Sequence, residues 1–215
     1  MKKIAIVIGA TGLIGQALIE ALVHAQHIDK VRVLTRRPFK HPSPKVECHV
    51  IDFEHLEDYA ILFAGDILFS ALGTTIKQAG SVAAQRKVDL EYQFKAVQLA
   101  QKMGVSHYLL VSSSGANAHS KNPYLKMKGE LEDKVKQLVF PCISIFQPSL
   151  LVGHRVKLRL GEKFASWILS IICILPRLKR YRPIKGKQVA TKMVQVSRLL
   201  GAGIDYFKLD EIFTK

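Results

Sequence analysis

Short apolar runs alternate with amphipathic stretches along the first two thirds of the chain. The runs have the length and branched-residue content of buried strands, and the stretches between them place apolar residues at three- and four-residue spacing. This alternation is typical of a doubly wound α/β fold, a parallel sheet with right-handed helical crossovers. The predicted strands are Lys3–Ile8, Val31–Thr35, Val46–Ile51, Ile67–Ala71, Tyr108–Ser112 and Cys142–Gln147, and the predicted helices are Leu13–Ala25, Ser81–Met103 and Tyr124–Leu138.

The pattern changes after Gly153, where a basic, irregular stretch leads into the continuous apolar run Phe164–Leu175. That run is too short for the ~20 residues that span a bilayer. It predicts a buried or dimer-forming helix, and a helix lying on a membrane surface is the alternative. Lys187–Leu200 predicts a further amphipathic helix, and Ile204–Phe213 a last strand or a short helix. We therefore expect a single domain, with an α/β core in residues 1–150 and a small helical region in residues 151–215 that faces the substrate or a second subunit.

Length, hydrophobic content and cysteine usage limit the kinds of protein that this chain can be. A chain of 215 residues with 48% hydrophobic residues can bury a sizeable core. Cys48, Cys142 and Cys173 lie in apolar surroundings, which predicts buried free thiols in a reducing cytoplasm. No secretion signal is predicted, because the first residues already form a strand. No Cys/His cluster has metal-ligand spacing, so we predict no metal site.

The net charge of +15 is concentrated in residues 151–215. Such an excess suits an anionic ligand, a membrane surface or nucleic acid, and a solvated basic face is the plainer alternative. Nucleic acid is disfavoured, because the basic residues do not alternate with aromatic residues that could stack on bases.

Three glycines at steps of three follow the first predicted strand. Gly9 allows a sharp turn off the strand, Gly12 lets the backbone approach a pyrophosphate, and Gly15 lets the next helix pack closely. The helix then offers unpaired N–H groups and the positive end of its dipole to phosphates. The pattern predicts a dinucleotide site of the Rossmann type. The residues assigned to it are Gly9, Thr11, Gly12, Leu13, Ile14 and Gly15.

The end of the second strand indicates which dinucleotide binds. An acidic residue there would select NAD through the ribose 2′-hydroxyl, but the chain reads Thr35-Arg36-Arg37. Thr35 can form a hydrogen bond and the two arginines can bind a 2′-phosphate, which favours NADP(H) over NAD. Asp52, after the third strand, is predicted to touch the adenine. The small residues that follow the fourth strand, Ala71, Leu72 and Gly73, are predicted to run beside the cofactor.

A candidate reaction centre follows the fifth strand. That strand ends in three serines, and Tyr124-Leu125-Lys126-Met127-Lys128 comes shortly after it. The spacing of Tyr124 and Lys128 places them on one face of a helix, about one turn apart. An ammonium beside a phenol stabilises the phenolate, and a serine hydroxyl can polarise a substrate carbonyl. Tyr124 and Lys128 are therefore candidates for both catalysis and cofactor binding.

Together, the glycine spacing, Val111-Ser112-Ser113 and Tyr124-x-x-x-Lys128 resemble the short-chain dehydrogenase/reductase superfamily. The segments around Asp89, Gly104 and Gly129 are similar to its small atypical members, the NAD(P)-binding and nucleoside-diphosphate-sugar epimerase-like proteins. The resemblance implies that Tyr124 is the general acid/base and that Lys128 assists it and binds the nicotinamide ribose. Ser113 would hold the substrate oxygen, with Ser114 as the alternative.

The resemblance implies an NADP-dependent oxidoreductase acting on a small carbonyl or alcohol. An epimerase-like enzyme and an NADPH-binding regulatory protein with little turnover are the alternatives. Two features depart from the superfamily: Asp89 stands where many members carry asparagine, and the C-terminal region is short for recognising a nucleotide-sugar.

Overall fold

Seven parallel strands form the main sheet of the computed structural model, which describes residues 2–152, 180–199 and 201–213. The strands of the described residues are β1 Lys3–Ile8, β2 Ile28–Thr35, β3 Val46–Val50, β4 Ile67–Ser70, β5 His107–Val111, β6 Cys142–Gln147, β7 Leu151–Val152, β8 Ile184–Lys185 and β9 Gly203–Lys208. In the main sheet their order is β3-β2-β1-β4-β5-β6-β9, and a separate parallel pair joins β7 to β8.

Helices cover both faces of this sheet. The α-helices of the described residues are α1 Leu13–Val23, α2 Ile76–Ala79, α3 Val82–Arg86, α4 Gln93–Lys102, α5 Pro123–Val135 and α6 Gly186–Val196. A π-helical segment, Lys87–Tyr92, joins α3 to α4, and 3-10 turns occupy Leu56–Phe63 and Leu209–Ile212. The predicted doubly wound α/β architecture is confirmed.

Side chains along β1 point alternately to the two faces of the sheet, and each face carries its own layer of the core. Ala5 and Val7 face a layer made with α1 and α6, whereas Ile6 and Ile8 face a layer made with α4 and α5. All four side chains are fully buried, as expected of a parallel sheet that is covered on both sides. The core therefore lies along the central strands, whose carboxyl ends are held at fixed positions.

Most predicted elements lie within a few residues of their observed bounds. β2 begins at Ile28 rather than Val31, because Asp29 and Lys30 interrupt the apolar run although their backbone still lies in the strand. The helix predicted over Ser81–Met103 is interrupted by the π-helical segment and ends at Gly104, which has a φ of 82°. The stretch predicted as a last strand or a short helix, Ile204–Phe213, forms both strand β9 and a short 3-10 turn.

The apolar run Phe164–Leu175 and Cys173 lie outside the described residues.

No helix among the described residues is long and apolar enough to cross a membrane. Within the same ranges, Cys142 is buried, Cys48 is half-buried, and both are free thiols.

His107, at the start of β5, should make stability depend on pH. Burial lowers the pKa of this side chain from 6.5 to about 4, and its Nε2 lies 2.9 Å from Ser144 Oγ. The unfolded chain binds a proton below about pH 6.5, whereas the folded protein takes it up only near pH 4. The free energy of unfolding should therefore fall by roughly 3 kcal/mol as the pH drops through this window.

Urea unfolding measured between pH 7 and pH 4 checks this expectation. His107→Gln should lose the roughly 3 kcal/mol that this residue contributes, while the exposed control His119→Gln should keep the full slope; a smaller slope remains from other groups such as His27, whose pKa burial also lowers. An unchanged slope in His107→Gln would contradict the assignment.

Candidate functional site

The strand order reverses between β1 and β4, and the space at the carboxyl ends of these two strands is called the cofactor crevice below. Ile8 pairs with Leu34 of β2 and with Ser70 of β4, and β2 ends one residue later at Thr35, so residues 9, 36 and 71 begin three adjacent loops at one edge of the sheet. The chain proceeds from β1 outward to β3 and then returns to β4 on the other side of β1. Doubly wound proteins bind ligands at such a switch in strand order.

The glycine turn, residues 9–15, has no room for a side chain at two positions, Gly9 and Gly15. Gly9 has a φ of 82°, and a Cβ on it would lie 2.3 Å from the backbone carbon of Ala71. A Cβ on Gly15 would lie 2.1 Å from the carbonyl oxygen of Gly9. The turn is thus pressed against both the β4 loop and its own helix, and Gly15 packs against the turn itself rather than against the sheet.

The N-terminus of α1 is left open for a ligand. Its N-cap residue, Gly12, has no side chain to accept a helical N–H, and the first turn carries no acidic residue. Thr11 is exposed, while Gly12 and Leu13 are partly exposed. Unpaired N–H groups and a helix dipole favour an anion at this place, so the turn fits the phosphates of a dinucleotide.

The loop after β2 presents two arginines to solvent. Arg36 and Arg37 are exposed, and the buried hydroxyl of Thr35 donates a hydrogen bond to the Arg37 carbonyl at 2.5 Å. Thr35 therefore shapes the turn that carries the arginines. Asp52 is about half exposed, and its two carboxylate oxygens meet Glu54 N at 2.9 Å and His55 Nδ1 at 2.8 Å. The adenine contact assigned to Asp52 stays a prediction.

Helix α5 holds the tyrosine and lysine of the candidate reaction centre. Asn122 caps this helix by accepting from Tyr124 N at 2.9 Å, and Pro123 occupies its first turn. Lys128 Nζ lies 5.9 Å from the centre of the Tyr124 ring. The Lys128 side chain is 4% exposed, and Tyr124 is partly exposed.

The loop after β4 lies next to Lys128. Ala71 and Leu72 are half-buried and Gly73 is exposed. A Cβ on Gly73 would lie 3.9 Å from Lys128 Nζ and 3.2 Å from Asp89 Oδ1. The predicted cofactor loop and the predicted lysine are therefore neighbours in space, although 55 residues separate them along the chain.

The three serines after β5 have different roles. Ser112 is buried, and its hydroxyl donates to the carboxylate of Glu132. Ser113 is half-buried, and its Oγ makes only a long contact of 3.4 Å with the Ser114 carbonyl. Ser114 is also half-buried, and its backbone N–H donates to Pro148 O at 3.0 Å. Ser112 is thus committed to the core, while the hydroxyls of Ser113 and Ser114 stay available.

Two residues of α5 support the centre without having been predicted as site residues. Glu132 is 5% exposed and also accepts from Gln147 Nε2 at 3.0 Å, so it ties α5 to the ends of β5 and β6. A Cβ on Gly129 would lie 2.2 Å from Ala118 N, which shows that the serine loop, residues 112–122 between β5 and α5, lies directly on the helix. One signal was present in the sequence: Glu132 follows Lys128 by one turn and is an acidic residue on the apolar face of the helix.

Comparison with known proteins agrees with this geometry. A family profile described as NAD(P)H-binding matches residues 9–139. Protein HTATIP2 of Rattus norvegicus is 37% identical over 168 residues, which cover 76% of this chain and 69% of that protein. A mitochondrial protein of Scheffersomyces stipitis, FMP52-1, is 31% identical over 200 residues, covering 90% of this chain and 88% of that protein.

Solved structures share the fold at low sequence identity. The Bordetella bronchiseptica enzyme WbmH in complex with NAD⁺ superposes with a TM-score of 0.71 at 15% identity, covering 97% of this chain and 76% of that one. The oxidoreductase ylbE of Lactococcus lactis gives 0.69 at 16% identity, covering 94% and 89%. The predicted dinucleotide fold and family resemblance are confirmed, and the chain belongs to the NAD(P)H-binding family of Rossmann-fold proteins.

Proposed function

We propose that this protein is an NADP-dependent oxidoreductase that interconverts a small carbonyl compound and its alcohol. One observation carries the proposal: the buried Lys128 ammonium lies beside the Tyr124 ring and beside the β4 loop that lines the cofactor crevice. A phenol and an ammonium thereby lie together next to the loop after β4, and the loop that carries the serines packs on the same helix, where Asn117 N donates to the Leu125 carbonyl at 3.1 Å. These groups suit proton transfer to or from a substrate oxygen.

The roles of the side chains follow from their chemistry. A nicotinamide cofactor held by the glycine turn would supply or accept the hydride. Tyr124 gives its phenolic proton to the carbonyl oxygen during reduction and takes it back from the alcohol during oxidation. The hydroxyl of Ser113, or of Ser114 as the alternative, donates a hydrogen bond to the same oxygen. The Lys128 ammonium stabilises the phenolate and offers donors to the hydroxyls of the nicotinamide ribose.

Activity itself is tested with the purified protein, NADPH and a panel of small aldehydes, ketones and nucleotide-sugars. We expect oxidation of NADPH with at least one small carbonyl compound. Tight NADPH binding without turnover of any member would favour a regulatory protein that senses the cofactor. Turnover of a nucleotide-sugar alone would favour an epimerase-like enzyme.

The preference for NADP is assigned to Arg36 and Arg37. Both side chains are exposed beside the end of β2, and neither forms an ion pair among the described residues. A 2′-phosphate placed there would give them a doubly charged partner, and guanidinium groups bind phosphate with paired hydrogen bonds. The proposal thus rests on two free guanidinium groups where an acidic residue would select NAD.

Replacing both arginines with alanine should weaken NADPH binding at least tenfold while leaving NADH binding unchanged, since only NADPH carries the 2′-phosphate. Titration of each cofactor by fluorescence measures both affinities. Lys40→Ala is the matched control, because Lys40 is an exposed cation in the same loop. Tighter binding of NADH than of NADPH to the parent protein would overturn the assignment.

A further inference from the structure

Asp89 and Lys128 form a buried ion pair beneath the candidate reaction centre. Lys128 Nζ lies 3.1 Å from Asp89 Oδ1, and the two side chains are 4% and 1% exposed. Asp89 Oδ2 accepts a hydrogen bond from Thr74 N at 2.8 Å. One carboxylate therefore joins the lysine of α5 to the cofactor loop after β4.

The backbone that carries Asp89 is fixed by a second set of contacts. Asp89 lies in the π-helical segment Lys87–Tyr92, and such segments are often found at functional sites. The Asp89 carbonyl accepts from Gln93 Nε2 at 2.8 Å, and Gln93 Oε1 accepts from Ser70 Oγ at 2.6 Å. Ser70 and Gln93 are fully buried, so this chain of hydrogen bonds ties the π-helical segment to the end of β4.

Resting on the proposed function, we propose that Asp89 is a positioning residue that holds the Lys128 ammonium against the nicotinamide-side ribose of the cofactor. Lys128 has a long, flexible side chain, and a buried ammonium without a partner would turn toward water. In the described structure its charged partner is Asp89. Because the other oxygen of this carboxylate is bonded to Thr74, the same group also fixes the loop along which the cofactor runs.

The contacts explain why an aspartate is needed. Both oxygens of Asp89 face donors, one an ammonium and the other a backbone N–H. Asparagine has the same shape but offers one acceptor oxygen and one N–H₂ donor. In Asp89→Asn, either Thr74 N or Lys128 would face another donor, so the isosteric variant should not restore the function of the carboxylate.

The test compares two ligands that differ in the nicotinamide half. Purified parent, Asp89→Asn and Asp89→Ala proteins are titrated with NADPH and with 2′,5′-ADP, which carries the adenine half and the 2′-phosphate alone. We expect roughly tenfold weaker NADPH binding in both variants, the worth of one charge-assisted contact, and 2′,5′-ADP affinity within about twofold of the parent. Glu91→Ala is the matched control, because Glu91 is exposed in the same π-helical segment.

A double variant distinguishes an Asp89 that acts through Lys128 from an Asp89 that only stabilises the fold. Lys128→Met should weaken NADPH binding to the same extent, and Asp89→Asn added to Lys128→Met should cause no further loss. Additive losses, parallel weakening of NADPH and 2′,5′-ADP, or parental NADPH affinity in Asp89→Asn would each overturn the role of Asp89 while leaving the proposed function standing. A parent protein that binds neither ligand would overturn both. If Asp89→Ala does not fold, the isosteric variant carries the test alone.

Discussion

Replacing Tyr124 with phenylalanine should reduce turnover of a carbonyl substrate by about 10²–10⁴-fold and leave NADPH affinity unchanged, since this range is the usual contribution of a positioned acid or base. The substitution removes one hydroxyl and keeps the ring that lies 5.9 Å from Lys128 Nζ. The helix cap stays intact, because Asn122 bonds the backbone of Tyr124 and not its side chain. Steady-state kinetics and NADPH titration separate the two quantities.

Tyr59→Phe is the matched control for this variant. Tyr59 is also half-buried, but it lies in the 3-10 turn Leu56–Phe63 and packs against the α4 and α5 layer. Its loss should change turnover less than twofold, since that ring lies outside the crevice. Turnover of Tyr124→Phe at the parental rate would show that another group carries the proton. Alanine variants of Ser113 and Ser114 would then show which hydroxyl holds the substrate oxygen.

Replacing Gly15 with alanine should weaken NADPH binding by roughly 100-fold, because the turn would lose about two hydrogen bonds to the phosphates, each worth about 1.5 kcal/mol or more when the acceptor is charged. The added Cβ would lie 2.1 Å from the Gly9 carbonyl oxygen and 2.8 Å from the Ala10 Cα. Both are backbone atoms, so the turn must move away from the helix and its N–H groups no longer converge on the phosphates.

Helix propensity alone would favour alanine at position 15. Gly15 lies inside α1, where alanine is favoured over glycine by about 1 kcal/mol. If propensity dominated, Gly15→Ala would raise the thermal stability and bind NADPH as well as the parent does, and that result would contradict the close packing described here. Gln16→Ala is the control, because Gln16 is exposed one residue further along the same helix. Isothermal titration and thermal unfolding of both variants decide the matter.

The fold was predictable where apolar patterning and glycine chemistry act locally. β1 and β6 were predicted with the bounds that the structure has, because each is a short, mainly apolar run rich in isoleucine, and most of its residues are buried. The glycine turn was predictable because its three glycines stand at steps of three directly after an apolar strand, and the match to the NAD(P)H-binding family begins at Gly9. The choice of NADP and the role of each site residue stay predictions.

Some features had no local signal. The π-helical segment Lys87–Tyr92 falls inside a stretch predicted as one helix, because its residues also form α-helices and the segment is too short to interrupt the pattern. The half-buried and exposed residues of β9 read equally well as a strand or a short helix, and pairing with β6 decides between them. Helix α6 packs on α1, so elements of the C-terminal third complete the main fold.

The doubly wound sheet, the glycine turn and the helical spacing of Tyr124 and Lys128 could be predicted from the sequence, since each leaves a local pattern of apolar residues, glycines or helical periodicity. Only the tertiary structure decided that Asp89 pairs with Lys128, that Glu132 receives Ser112 and Gln147, and that the serine loop lies on Gly129. The physical reason is that a buried charge needs a partner, and the partner is supplied by whichever element the fold brings alongside, at any distance along the chain.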